Sequence, residues 1–156
     1  MQIKGKKKGG EILRKSGILL PVFSLSGNYG IGTLGKSAYN FADFLSASGQ
    51  SIWQILPLTP TSYGNSPYQS PSVFAGNPYF IDPDILYSQG LISKGEIEAF
   101  TLKGSESADY GFLYGTRLPL LKKVAEKISD SDRDYLSFCE EESFWLEEFA
   151  VFMSLK

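Results

Sequence analysis

A proline-rich segment from Pro57 to Pro83 contains the residues whose types and spacing are best suited to binding a ligand. It combines flat apolar rings with uncharged side chains that donate and accept hydrogen bonds. The rings are Tyr63, Tyr68, Tyr79 and Phe80, and the polar groups are Asn65, Ser66, Gln69, Ser70 and Asn77. A sugar is complementary to such a surface, because its C–H face packs on an aromatic plane and its hydroxyls donate and accept in pairs. The segment therefore predicts a carbohydrate-binding loop.

Prolines restrict this segment, which we call the proline-rich loop. They stand at positions 57, 60, 67, 71, 78 and 83. Limited backbone freedom would hold the rings in position before a ligand arrives. A long loop without a regular period is uncommon in a compact domain unless it has a function. The alternative is a rigid surface loop whose tyrosines pack on the domain, and the residues alone leave that alternative open.

Composition argues against several other classes of function. The formal net charge is −2, so the chain lacks the excess of positive charge that is typical of nucleic-acid-binding proteins. The sequence has no histidine, which removes Ser-His-Asp and Cys-His nucleophile systems and the commonest metal ligand. A single cysteine, Cys139, excludes an intrachain disulfide and favours a cytoplasmic location. Residues 1–15 are expected to be a flexible basic tail, and neither a signal peptide nor a membrane span is predicted.

The elements that must position the loop begin with a predicted strand, Gly17–Leu25, in which Pro21 indicates an edge or a bulge. Apolar residues at helical spacing predict a helix from Lys36 to about Gly49, and Ser51–Leu56 is a second short apolar run. Strand, helix and strand within this length predict one βαβ crossover with parallel strands. Residues 16–83 are therefore expected to form this βαβ unit and the proline-rich loop.

The remaining residues, 84–156, are expected to form a helical subdomain. The sequence predicts helices at Asp84–Gly90, after a capping box that starts at Ser93, at Tyr110–Ile128, and near the end of the chain. The last of these helices reaches Lys156 without a Gly, Asn or Pro that would end it. Two parallel strands alone also cannot form a stable sheet with both faces covered. We expect an α/β protein of which this chain is the leading part.

The glycines of Gly30-Ile-Gly32-Thr-Leu-Gly35 match the dinucleotide-binding pattern. The second predicted strand, however, leads into Pro57 with no acidic residue to bind a ribose hydroxyl. A polar stretch, Ser24–Tyr29, also separates the first strand from the glycines, where the pattern needs a tight turn. The interpretation that we favour is a sharp turn between strand and helix.

Several motifs together resemble the N-terminal part of the 4-α-glucanotransferases of the amylomaltase (disproportionating enzyme) family. They are GILLPVFSL, GNYGIGTLG, QILPLTPTSYGNSPYQSPSVFAGNPYFID and ADYGFLY, in unbroken order from about Ser16 to Leu121. The resemblance implies a (β/α)8 TIM barrel with a mostly helical inserted subdomain, incomplete in this chain. It also implies transfer of α-1,4-glucan segments through a covalent glycosyl-enzyme, with retention of configuration and without cofactor or metal.

The resemblance implies roles for four residues. Ser66 and Tyr68 correspond to residues lining the donor side of the cleft, with Tyr68 stacking on the sugar next to the scissile bond. Tyr63 and Tyr110 correspond to aromatic residues that hold a glucan further along its path. Without the resemblance, Asp109 and Tyr110 would be interpreted as a helix cap followed by a packing tyrosine.

No catalytic residue is assigned within this chain. Retaining glycosyl transfer needs two carboxylates about 5 Å apart across the scissile bond, and in the family these lie on later strands. The acids present here, such as Asp43, Asp82 and Asp84, stand in helices or at helix starts. The 156-residue chain alone is therefore expected to be inactive in the disproportionation of maltotriose. A non-catalytic carbohydrate-binding module and a dinucleotide-binding domain remain as alternatives.

Overall fold

The structure is a computed structural model that describes residues 14–102 and 107–156. Most of the expected basic tail, residues 1–13, lies outside the described residues. Two strands, β1 (Gly17–Leu19) and β2 (Ile52–Gln54), pair in parallel, with Ile18 opposite Trp53. Between them runs helix α1 (Lys36–Ala47). The predicted βαβ crossover is thus confirmed.

Both strands are shorter than the sequence predicts. β1 ends before Pro21, and Val22–Ser24 turns into a short 3₁₀ helix instead of continuing the strand to Leu25. Beyond the ladder, Leu20 N still donates to Gln54 O at 2.9 Å, and the Trp53 indole donates to Leu20 O at 2.8 Å. The apolar run Gly17–Leu25 therefore supplies the short strand β1 and then two residues of the core, Val22 and Leu25.

The helices after the proline-rich loop follow in sequence. They are α2 (Pro83–Ser88), α3 (Lys94–Ala99), α4 (Tyr110–Ala125), α5 (Arg133–Glu141) and α6 (Ser143–Leu155). The predicted capping box is confirmed, since Ser93 N donates to the Glu96 carboxylate at 2.7 Å and Glu96 N donates to Ser93 Oγ at 3.3 Å. Helix α5 is not among the predicted helices, although Tyr135, Phe138 and Cys139 recur at helical spacing and Asp132 caps its start.

Two apolar clusters hold the chain together, and α4 contributes to both. The first cluster consists of Val22, Leu25, Ile31, Ala38, Phe80 and Leu113. The second consists of Leu86, Ile92, Leu120 and Val124. Leu113 comes from the first half of α4 and Leu120 from the second, so this helix links the βαβ unit to α2 and α3. In contrast, α5 and α6 contribute no buried residue, and both strands leave apolar side chains exposed.

Candidate functional site

The proline-rich loop begins just beyond the carboxyl end of β2 and is fastened at both ends. Asn77 N donates to Leu58 O at 2.8 Å, which closes the base of the loop, and Leu34 N donates to Phe80 O at 2.9 Å. Pro60 and Ala75 are buried near the two ends. The middle of the loop is therefore presented from a fixed base, although it contains no helix or strand.

Two consecutive turns present the predicted ligand-binding tyrosines. The first is closed by Asn65 N donating to Ser62 O at 3.0 Å, with Gly64 at φ +82°, a conformation that glycine adopts without strain. The second is closed by Gln69 N donating to Ser66 O at 3.2 Å. Ser62 N also donates to Gln69 O at 3.0 Å, which joins the two turns into one small hairpin-like unit.

The rings on this unit point into solvent. Tyr63 is 95% exposed and Tyr68 is 72% exposed. Tyr68 follows Pro67 in the second turn, and its N–H donates to Ser66 Oγ at 3.3 Å. The side chain of Ser66 therefore orders the turn that carries Tyr68. Exposed rings on an ordered turn are available to stack on a ligand, and this exposure argues against the alternative in which both tyrosines pack on the domain.

Three of the other candidate side chains have structural roles. Phe80 is buried in the first apolar cluster, so its interpretation as a ligand-stacking ring is wrong. Asn77 is also buried, and its Oδ1 accepts from Tyr79 N at 3.0 Å to cap the 3₁₀ helix Pro78–Phe80. Tyr79 is half-buried and packs edge-on against Tyr110 with a centroid distance of 6.2 Å. Helix capping and core formation explain why the sequence has polar and aromatic residues here.

Tyr110 lies at the first position of α4, behind the N-cap Asp109, whose Oδ1 accepts from Phe112 N at 2.9 Å. Its ring is half-buried, and burial raises the pKa of its phenol. It lines a cavity of about 590 Å³ together with the loop Phe23–Gly27 and the glycines Gly30 and Gly32. Because Tyr63 is almost fully exposed, the structure does not pack it against Tyr110. A ligand holding both rings would have to span the space between them.

A buried arginine fixes the elements behind the site. Arg117, only 1% exposed, donates to the carbonyl oxygens of Ile81 at 2.5 Å, Tyr29 at 3.3 Å and Tyr79 at 3.5 Å. Desolvation lowers the pKa of Arg117 to about 10, while the nearby carboxylate of Asp82 acts to raise it. The guanidinium thus joins the glycine-rich turn, the end of the proline-rich loop and α4. A sequence signal for the burial of Arg117 was available, because Arg117 lies between Leu113 and Leu120 on the apolar face of α4.

Asp82 and Tyr29 complete this buried polar group. Asp82 accepts a short hydrogen bond from the Thr33 hydroxyl, and its Oδ1 caps α2 by accepting from Asp84 N at 2.9 Å. Burial, and then a hydrogen bond with Asp84, raise the pKa of the Tyr29 phenol. These contacts give Asp82 a structural role at the start of α2.

The glycine-rich turn is packed against protein. A Cβ on Gly32 would overlap the Val22 carbonyl oxygen, and a Cβ on Gly35 would overlap the Asp82 carboxylate. A negatively charged group therefore lies against the N-terminus of α1, where a dinucleotide would place its pyrophosphate. This geometry supports the interpretation of a sharp turn. Among the described residues, no group of three or more His, Cys, Asp or Glu side chains is arranged to hold a metal ion.

A second cavity, of about 520 Å³, lies between the residues that follow β2 and the returning segment of the proline-rich loop. Residues 55–59 form one wall and residues 73–76 form the other. In parallel α/β proteins, ligand sites lie beyond the carboxyl ends of the strands, and this cavity has that position.

In the part of the chain that the structure describes, no helix has the length and apolar character required to cross a membrane.

The fold and the site define an α/β unit with one parallel crossover, whose exposed tyrosines lie beyond the strand ends. The 4-alpha-glucanotransferase family model matches residues 20–156, and the chain belongs to this family. The 4-alpha-glucanotransferase of Clostridium butyricum is 47% identical over 137 residues, which are 86% of this chain and 28% of that protein. That of Thermus thermophilus is 45% identical over 151 residues, covering 94% of this chain and 29% of that protein.

Among solved structures, the amylomaltase from Streptococcus agalactiae in complex with acarbose matches with a TM-score of 0.85 and 43% identity. The match covers 92% of this chain and 30% of that structure. The chain therefore spans less than a third of the length of the relatives that it matches. The family resemblance that the motifs between about Ser16 and Leu121 indicated is confirmed.

Proposed function

We propose that this chain forms part of the glucan-binding cleft of a 4-α-glucanotransferase, which transfers α-1,4-glucan segments between maltooligosaccharide, starch or glycogen-type acceptors. The observation that carries the proposal is the ordered pair of turns that exposes Tyr63 and Tyr68 beyond the end of β2. Family membership supports it, because the relatives that match are named for this activity.

In this proposal, residues 16–83 form the first βαβ unit of a (β/α)8 barrel with its loop, and residues 84–156 form a helical inserted subdomain. The exposed apolar side chains of β1 and β2 support this, since further strands and helices would cover them in a barrel. We place the protein in the cytoplasm, with neither nucleic acid nor membrane as a partner.

The chemistry that we propose is retaining transfer through a covalent glycosyl-enzyme. Two carboxylates perform it, one as nucleophile and one as acid/base, so the reaction needs no cofactor or metal. We assign neither role to an acid of this chain; of the described acids, Asp82 caps α2 and Glu96 belongs to the capping box of α3. We therefore expect no disproportionation of maltotriose by the purified 156-residue chain, and measurable activity would contradict this assignment.

Each proposed binding residue has a physical role. The exposed face of Tyr68 stacks on the sugar next to the scissile bond, and Ser66 fixes the turn that carries it. Tyr63 and Tyr110 contact the glucan further along its path. Tyr110 lies at the capped start of α4 and packs against Tyr79, so it forms the more rigid of these two contacts.

Calorimetric titration of the chain with maltoheptaose tests the proposal. We expect Tyr68→Ala to weaken binding by about tenfold, a typical loss for a central aromatic contact. Tyr39→Ala is the matched control, because Tyr39 lies on α1 and is 68% exposed, close to the 72% of Tyr68. Equal affinities for the two variants, or no binding by the unaltered chain, would overturn the proposed function.

A further inference from the structure

Phe74, in the proline-rich loop, contacts the first two aromatic residues of α6. Its ring meets that of Phe144 edge-on, with centroids 5.1 Å apart and an interplanar angle of 84°. It stacks on Trp145 with centroids 5.9 Å apart and an angle of 23°. Edge-to-face and offset-stacked pairs are the favourable arrangements for aromatic rings. We call Phe74, Phe144 and Trp145 the aromatic clasp.

The clasp is fixed on both sides. On the loop side, Ser72 Oγ accepts from Phe74 N and Ala75 N, each at 3.1 Å, and Ala75 is buried. On the helix side, the Trp145 indole donates to the Glu142 carboxylate. The orientation of the rings is therefore set by hydrogen bonds as well as by their mutual contact.

Other attachments of α6 to the loop are weak. The helix buries no residue of its own, and the Lys156 ammonium reaches Ser62 Oγ only at 3.5 Å. Phe74 is itself 57% exposed, so it is not an ordinary core residue. The clasp is thus the main contact between α6 and the loop among the described residues.

Hydrogen bonds connect the clasp to Ser70, the residue that follows the second ligand-binding turn. Ser70 Oγ donates to Ser72 O at 2.6 Å and accepts from Ser72 N at 3.2 Å, while Ser72 holds Phe74. Ser70 stands two residues after Tyr68. The run of local hydrogen bonds that begins at Phe74 therefore ends next to Gln69, the residue that closes the second turn.

We propose that the aromatic clasp positions the proline-rich loop for glucan binding, so that α6 sets the arrangement of Tyr63 and Tyr68. Phe74 is a positioning residue, and this inference rests on the proposed function. When the clasp is open, the loop samples arrangements that cannot bind, and the measured affinity equals the intrinsic affinity multiplied by the fraction of chains that remain competent.

The test compares Phe74→Ala with Phe44→Ala, a matched control. Phe44 is also 57% exposed and has one ring partner, Phe41 at 6.2 Å. We expect Phe74→Ala to weaken maltoheptaose binding by about two- to tenfold. In a Trp53→Phe background, the emission of Trp145 should shift to longer wavelength. Phe74→Tyr, which keeps the ring, should restore both values, and Phe44→Ala should change neither.

Two outcomes would overturn the proposed positioning role of the clasp. One is an equal affinity of Phe74→Ala and Phe44→Ala for maltoheptaose. The other is a shift in Trp145 emission in Phe74→Ala with an unchanged affinity. If the unaltered chain does not bind maltoheptaose, the proposed function fails, and chymotryptic cleavage after Tyr63 and Tyr68 decides whether the clasp orders the loop. Faster cleavage in Phe74→Ala than in Phe44→Ala supports the ordering role, and equal rates overturn it.

Discussion

Replacing Gly35 by alanine tests the packing of the glycine-rich turn. Gly35 is the N-cap of α1, and a Cβ added there would overlap the Asp82 carboxylate and lie 2.9 Å from the Asp82 Cβ. Asp82 cannot retreat freely, because it is buried, accepts from the Thr33 hydroxyl and caps α2. The substitution therefore forces a buried, hydrogen-bonded carboxylate to move.

Three costs contribute to the expected loss of stability. Losing the cap of α2 costs about 0.5–2 kcal/mol, and losing the hydrogen bond from Thr33 costs about 0.5–1.5 kcal/mol. Inserting a methyl group into a close-packed site costs about 1–3 kcal/mol. The three overlap because they involve one side chain, so we expect the free energy of unfolding to fall by about 2–4 kcal/mol.

Urea denaturation followed by circular dichroism measures this change. Gly95→Ala is the control, since Gly95 lies in α3 and a Cβ there would meet no atom within 4 Å. Alanine should stabilise that helix by about 0.5–1 kcal/mol, so the two Gly→Ala changes should have opposite signs. A free energy of unfolding for Gly35→Ala within about 0.5 kcal/mol of the unaltered chain would refute the reasoning.

Two further predictions concern the buried residues behind the site. Leu113→Ala should lower the free energy of unfolding by about 3–5 kcal/mol in the same assay, because Leu113 is fully buried where α4 meets the first cluster; a loss below about 1 kcal/mol would contradict this. Burial and Asp84 raise the pKa of Tyr29, so its stabilising contribution is complete below about pH 10 and is lost as the pH rises, because the unfolded chain releases the proton first. Tyr29→Phe should make this alkaline loss shallower than in the unaltered chain, in urea titrations between about pH 9 and 11, and equal slopes for the two proteins would count against the assignment.

Features determined by short stretches of sequence were predictable. The spacing of apolar residues predicted α1 and the parallel crossover, and Ser93 with Glu96 predicted the capping box of α3. The family resemblance rested on four motifs between about Ser16 and Leu121, the longest of them in the proline-rich loop, and the family match confirmed it. The helix and the capping box depend on neighbours a few positions apart, which the sequence displays directly.

Tertiary structure decided which side chains face inward. Phe80 and Tyr63 are both aromatic residues of one loop, yet Phe80 enters the core and Tyr63 is exposed. The difference depends on contacts with elements distant in sequence, such as the bond from Leu34 N to Phe80 O. A local pattern of rings and amides cannot distinguish a ligand-binding side chain from a capping or core residue.

The sequence alone determined the chemical character of the proline-rich loop and its short-range turns, because proline and glycine act on their own backbone. Only the tertiary structure placed Arg117 beneath the carbonyls of Tyr29 and Ile81, and Phe74 against α6. These contacts join segments about 36 to 88 positions apart. Since each depends on the packing of whole helices, no local pattern predicts it.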